Sequence, residues 1–354
     1  MSFITHFGTS LPKFKNSQRD IQKFMLELSD ASETEKRKMG LMYARSGIET
    51  RYSVVPDYSC DINDRVFFPK NKTLSPFPSL ENRMKIYEKE AVSLGVEAVK
   101  DAIKEVESVK FTHLISVSCT GLSAPGLDVA LVEALNLPTD IVRTSINFMG
   151  CYAAIHALKQ ADAICKSQKD AKVLIVLVEL CTLHFQKENT IDFITSNLLF
   201  GDGAACCIVE NSNCGLEIQS FYSKLYLEKQ DSMAWHVSSS GFLMSLKSEV
   251  PAIIEENLPS FVASSIEKSK VLQIDNWVIH PGGKSILESS VKALNIKREA
   301  LAGSFEVLKN FGNMSSCSLV FILKNLIQID NQHTFVAGFG PGITMESMIL
   351  KTKQ

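Results

Sequence analysis

The chain has 354 residues, 45% of them hydrophobic, and a formal net charge of −2 at pH 7. That length can bury one large duplicated core or two domains, and so even a charge balance excludes an electrostatic case for nucleic acid or an anionic membrane surface. No stretch reaches the roughly 18 apolar residues of a membrane span, and the N-terminal MSFITHFGTSLPKF has neither a basic region nor a long apolar run.

In chain order, the first 50 residues read as helical and charged, and SETEKRKM carries the spacing of a capping box, Ser32 followed by Glu35. The Pro-rich FFPKNKTLSPFPSL reads as surface loop. RMKIYEKEAVSLGVEAVKDAIKEV (83–106) has helical spacing, with Tyr87, Ala91, Leu94, Ala98 and Ala102 along one stripe. HLISVSC (113–119) reads as a buried strand and LDVALVEALNL as a helix. NFMGCYAAIHALKQADAI (147–164) then places Cys151 in the first turn of a small-residue helix. AKVLIVLVEL (171–180) and GAACCIVE (203–210) read as two more strands. After about residue 215, NWVIH (276–280), CSLVFILKNLI and TFVAGFG (334–340) repeat this kind of unit in shorter form. Continuous apolar strands alternating with helices predict an α/β protein whose sheets are covered on both faces.

Of nine cysteines, Cys119, Cys151, Cys165, Cys181, Cys206, Cys207 and Cys317 lie in apolar or small-residue runs. Their spacing fits no secreted framework, and no CxxC pair offers a metal site, so reduced thiols and a cytoplasmic protein are expected.

Four glycine-rich turns follow apolar strands: SCTGLSAPG (118–126), FGDGAA (200–205), IHPGGKS (279–285) and GFGPGIT (338–344). Such strand ends are where α/β proteins build sites. GGKS ends like a phosphate-binding loop, but Val278 stands where that motif needs glycine. GDGAAC lacks a third glycine and leads into a strand, so neither nucleotide reading holds. Cys151 reads either as a small thiol packed with Ala154, Leu158 and Ala161 or as a nucleophile whose pKa a helix N-terminus lowers. His280 ends a strand beside Gly282 and Gly283, and Asn313 lies in FGNMSS. A thiol, an imidazole and a carboxamide on three strand–loop junctions are the parts needed for thiolate acyl transfer, with the thiolate held as an ion pair by the imidazole.

GCYAA after INFM, LFGDGAA, WVIHPGG, FGNMSS and GFGPGITMESMIL stand in the order found in type III polyketide synthases, the chalcone synthase-like enzymes. The chain resembles that family from about residue 40 to 350. The resemblance implies a thiolase fold, with two similar halves (1–215 and 216–354) in αβαβα layers built on mixed five-stranded sheets, and a homodimer. It implies Cys151 as acyl acceptor, with His280 and Asn313 as oxyanion site and promoters of malonyl-CoA decarboxylation. The reaction it implies is loading of a starter acyl-CoA, iterative condensation with malonyl-CoA, and cyclisation to a pyrone, resorcinol or phloroglucinol-type product. No carrier protein and no cofactor beyond the CoA thioester substrates are required.

Phe200 matches a gatekeeper of the family, and Thr120 and Ser315 fall in its pocket motifs. Met244 replaces a second gatekeeper phenylalanine, with Phe242 close in register. His184 stands for a threonine, Trp235 for a glycine, and Cys119 for the plant enzymes' threonine. For CoA, Lys38 and Arg45 match two basic positions, Leu41 replaces a third, and Gly282 and Gly283 leave room for the pantetheine arm. A carrier-protein-dependent β-ketoacyl synthase III-like enzyme is the nearest alternative, against which Pro-Gly-Gly follows His280. A non-catalytic partner with the same fold is the other, though a scaffold needs none of the three reactive side chains.

Overall fold

The computed structural model describes residues 1–28, 31–104, 110–188, 190–326 and 329–354. Its elements run β1 (Ser2–Ser10), β2 (Phe14–Ser17), α1 (Gln18–Leu28), α2 (Glu33–Arg45), β3 (Thr50–Ser53), α3 (Leu80–Ile103), β4 (His113–Ser118), α4 (Leu127–Ala134), β5 (Val142–Asn147), α5 (Ala153–Ser167), β6 (Lys172–Leu180), α6 (Ile191–Leu199) and β7 (Asp202–Asn211). The second half continues with β8 (Gly215–Leu225), β9 (Met233–Ser238), β10 (Gly241–Leu246), α7 (Val250–Ser269), β11 (Asn276–Ile279), α8 (Lys284–Leu294), α9 (Ala302–Phe311), α10 (Cys317–Lys324), β12 (His333–Gly340) and β13 (Thr344–Lys353).

Nine strands join in the order β11-β12-β13-β8-β1-β7-β6-β4-β5. The pairs β4–β5, β4–β6 and β11–β12 are parallel and the rest antiparallel, so the sheet is mixed. The first half supplies five strands and the second four, one fewer than the resemblance implies; β1 and β8 join them through Phe3↔Glu217 and Ile4↔Leu216.

Two apolar clusters set the layers. One packs α3 against Leu114, Leu174, Val176 and Val178 of the first half, and α7 and α8 against Ile279, Phe335 and Ile349 of the second. The other gathers α5 and α10 with Val117, Ile175 and Leu177 on one side and Val278, Val336 and Met348 on the other. The order is therefore α3, first-half strands, α5 with α10, second-half strands, α7 with α8: the αβαβα thiolase layering. In α10 every residue from Cys317 to Leu323 is buried, as an all-round apolar helix between two layers must be.

The expectation for the first 50 residues is corrected. Helix is confined to α1 and α2, while Ser2–Ser10 is a strand within the large sheet, paired to β7 along its length. Its aromatic and β-branched residues suit a pleated, buried surface, and Phe3 and Ile4 are almost fully enclosed. The Ser32–Glu35 capping box is present, with Ser32 N–H donating to Glu35 Oε2 at 2.8 Å. The stripe from Tyr87 to Ala102 is the buried face of α3; the last residues expected for that helix, 105 and 106, lie outside the described residues. The Pro-rich stretch is loop, although Phe68 and Leu74 are buried. β5, β8, β9, β10 and β13 carry no clear sequence signal. Among the described residues, no helix is long and apolar enough to cross a membrane.

Candidate active site

Cys151 lies one residue ahead of Tyr152, the N-cap of α5, and so precedes the helix instead of opening its first turn. The turn needs Gly150, which has φ +85° and packs so closely that a Cβ there would stand 2.2 Å from Pro341 Cδ. His280 follows β11 directly: its N–H donates to Ala337 O of β12, and Gly282 N–H donates to His280 O, each at 2.8 Å. Asn313 is fixed in backbone and side chain alike. Its N–H donates to Leu199 O at 2.9 Å and its O accepts from Gly201 N–H at 3.0 Å, which ties the GNMSS loop to the GDG loop and places Phe200 beside it. Its Nδ2 donates to Gly282 O at 3.3 Å and its Oδ1 accepts from Ser315 N–H at 2.8 Å.

These loops meet around one cavity with about 600 Å³ of empty space, lined by Cys151, His280 and Asn313. Cys119, Thr120, Phe200, Trp235, Met244 and Ser315 line it too, as does Gly282. His184 does not: it lines an adjoining cavity of about 520 Å³, as does Phe242. Met244 pairs with Trp235 across the β9–β10 hairpin and faces both cavities, whereas Phe242 faces the second alone. Gly283 lines neither cavity, and Lys38 and Arg45 are exposed on α2, away from both linings.

Burial governs the electrostatics. It pushes the Cys151 thiol up to about 12, against polar contacts with Ser315 and Asn313 and with help from the nearby Glu179 charge. Burial also drives His280 down to about 3, although the Asn313 carboxamide draws it partly back. The expected lowering of the thiol by a helix terminus is therefore corrected: Cys151 precedes the helix, and desolvation outweighs the dipole. Among the described residues neither His280 ring nitrogen makes a well-formed hydrogen bond, the Asn313 carboxamide being the polar group beside the ring. Both shifts favour a neutral thiol and a neutral imidazole in the resting site.

Two groups near the thiol escape sequence reasoning. Glu179, fully buried at the end of β6, accepts from Cys119 N–H and Thr120 Oγ1 at 3.0 Å and from Ser316 Oγ at 2.6 Å. A lone carboxylate in the apolar VLIVLVEL was its signal. Cys181 faces both cavities and had no signal beyond its burial. All nine cysteines are free thiols, and among the described residues no group of three His, Cys, Asp or Glu side chains could hold a metal ion.

The layering, with a thiol, an imidazole and a carboxamide facing one cavity, is that of a thiolase-fold protein of the condensing type. Sequence comparison bears this out. Residues 1–213 match the N-terminal domain of chalcone and stilbene synthases, and residues 217–353 match the C-terminal domain. The chain is 30% identical to the "alpha-pyrone synthesis polyketide synthase-like Pks18" of Mycobacterium tuberculosis, over 99% of this chain and 91% of that one. Its structure matches the C-terminal type III polyketide synthase domain of Steely1 from Dictyostelium with a TM-score of 0.91 and 26% identity, covering 100% of this chain and 99% of that one. It also shares the fold of 1,3,6,8-tetrahydroxynaphthalene synthase from Streptomyces coelicolor, with a TM-score of 0.87, 24% identity and 99% of each chain covered. The chain belongs to the chalcone and stilbene synthase family, whose members are type III polyketide synthases.

Proposed function

We infer that this polyketide synthase loads a starter acyl-CoA onto Cys151 and extends it with malonyl-CoA. The observation that carries the assignment is the convergence of Cys151, His280 and Asn313 on one cavity. His280 takes the thiol proton and the thiolate attacks the starter thioester. CoA leaves as its thiol, taking the proton back. Malonyl-CoA then places its thioester oxygen against His280 and the Asn313 carboxamide. Loss of CO₂ leaves an enolate whose charge these N–H donors hold. The enolate carbon attacks the acyl group on Cys151, which expels the sulfur and leaves the chain, two carbons longer, on CoA. Asn313 suits this step because a carboxamide donates a hydrogen bond without surrendering a proton to the carbanion.

Reloading repeats the cycle, and cyclisation releases a pyrone, resorcinol or phloroglucinol-type product. No cofactor is needed beyond the CoA thioesters. Lys38 and Arg45, exposed on α2, receive the CoA phosphates. The free thiols suit the reducing cytoplasm. A homodimer is supported by β5, an exposed strand at the end of the sheet, where Val142 is 55% exposed.

The test incubates the enzyme with malonyl-CoA and a panel of aromatic and fatty acyl-CoAs and reads product masses. Products from malonyl-CoA, lost in Cys151→Ala, are expected. Turnover only with malonyl groups on a carrier protein overturns the assignment.

A further inference from the structure

A groove with about 1060 Å³ of empty space runs between α1 and the long loop that joins β3 to α3. It shares no lining residue with the Cys151 cavity, and only Tyr58 with the adjoining one. Tyr58 is held there as a wall, its hydroxyl donating to Thr182 O at 2.5 Å.

Arg65 lines this groove and is 5% exposed. Its Nη1 donates to Asn71 O at 3.0 Å and to Pro69 O at 3.4 Å, and the guanidinium lies 5.0 Å from the centre of the Phe24 ring. These contacts hold the group but leave its charge unanswered. Among the described residues no carboxylate pairs with it, and its Nε is buried without an acceptor. Asp57, buried in the same loop, is already taken up by the N–H groups of Val66, Phe67 and Phe68. A guanidinium keeps its charge and all five donors in a protein, so a buried one without a counter-charge is costly. Lys72 also lines the groove and makes no ion pair among the described residues, whereas Lys23 is occupied by Glu27 at 4.0 Å. A single anionic head can answer Arg65 and Lys72. A polyphosphate would also face Asp20, Glu27 and Asp61, which lie in the same lining.

We propose that this groove binds a small organic carboxylate, its anionic head serving as the missing partner of Arg65 and its hydrocarbon lying against Phe24, Leu28 and Ile62. The site stands apart from the condensing chemistry and does not depend on that assignment.

The test is a thiol footprint. Cys60 lines the groove and is partly exposed, while Cys214 is exposed and outside that lining, so one serves as reporter and the other as internal control. The enzyme is alkylated with iodoacetamide in the presence of hexanoate, benzoate or inorganic phosphate, and each cysteine is read by peptide mass. With either carboxylate the rate at Cys60 is expected to fall as 1 + [L]/Kd, about fivefold at a concentration of about four Kd, with Cys214 unchanged. Arg65→Gln is expected to abolish the protection, and Lys72→Glu to raise the half-protecting concentration at least about threefold. Phosphate is expected to protect less than the carboxylates. Cys60 reacting equally fast with and without both carboxylates overturns the proposal, as does slowing of Cys60 and Cys214 together. So does phosphate protecting at a lower concentration than either carboxylate. Protection left unchanged by Lys72→Glu overturns it too, even where Arg65→Gln fails to fold.

Discussion

Replacing Glu179 probes how the site is held together. Its carboxylate is 0% exposed and is the shared acceptor for Cys119 N–H and Thr120 Oγ1 of one loop and Ser316 Oγ of another. Alanine leaves three donors without an acceptor. A buried unsatisfied group costs about 1–3 kcal/mol, and the two hydroxyls can turn elsewhere, so Glu179→Ala should cost about 3–5 kcal/mol in all. Glutamine keeps one acceptor oxygen but turns an NH₂ on a donor, for about 1–3 kcal/mol. Urea unfolding followed by circular dichroism gives both values from the shift in midpoint at constant slope. The same charge has a second, opposite effect, since Glu179 raises the Cys151 thiol. Glu179→Gln should therefore make the thiol more acidic, read as a downward shift in the pH dependence of iodoacetamide alkylation in a His280→Ala background. A midpoint unmoved in Glu179→Ala, or a thiol titration that shifts upward, refutes the reasoning.

In His280→Ala no imidazole remains in the cavity to take the Cys151 proton, and burial still holds the thiol up. Alkylation at pH 7 should slow at least about 100-fold against wild type, then climb tenfold per pH unit in alkaline buffer; equal rates at pH 7 would show that the imidazole takes no proton. Gly150→Ala meets both a left-handed φ and the Pro341 ring, so a loss of at least about 2 kcal/mol in urea unfolding is expected, together with loss of acyl loading. An unchanged midpoint would mean the turn relaxes freely.

Much of the first half was legible because β4, β6 and β7 are buried on both faces and read as unbroken apolar runs. β1 was not, since its Thr and His residues hide a strand that only pairing with β7 and β8 reveals. β5 was missed for the reverse reason: an exposed edge strand, VRTSIN, has little apolar pattern to read. The reactive trio was visible through the glycines around it, which are required by close packing. What the sequence misjudged was the thiol's environment, because a helix terminus is a local signal whereas desolvation depends on everything folded over it. His184 was misplaced for a similar reason: its two hydrogen bonds hold it in the lining of the adjoining cavity instead of the Cys151 cavity.

The hydrogen bonds between Asn313 and the backbone at Leu199 and Gly201 also tie the completion of the cavity to the order in which the chain is made. The sulfur leaves the ribosome more than a hundred residues before the amide that completes its surroundings, and Pro341, which braces the turn beneath it, comes later still. A nascent chain thus carries Cys151 before His280, Asn313 and Pro341 exist to enclose it. The cavity's lining is assembled from stretches far apart in the chain, and its four members meet only once the second half has packed onto the first.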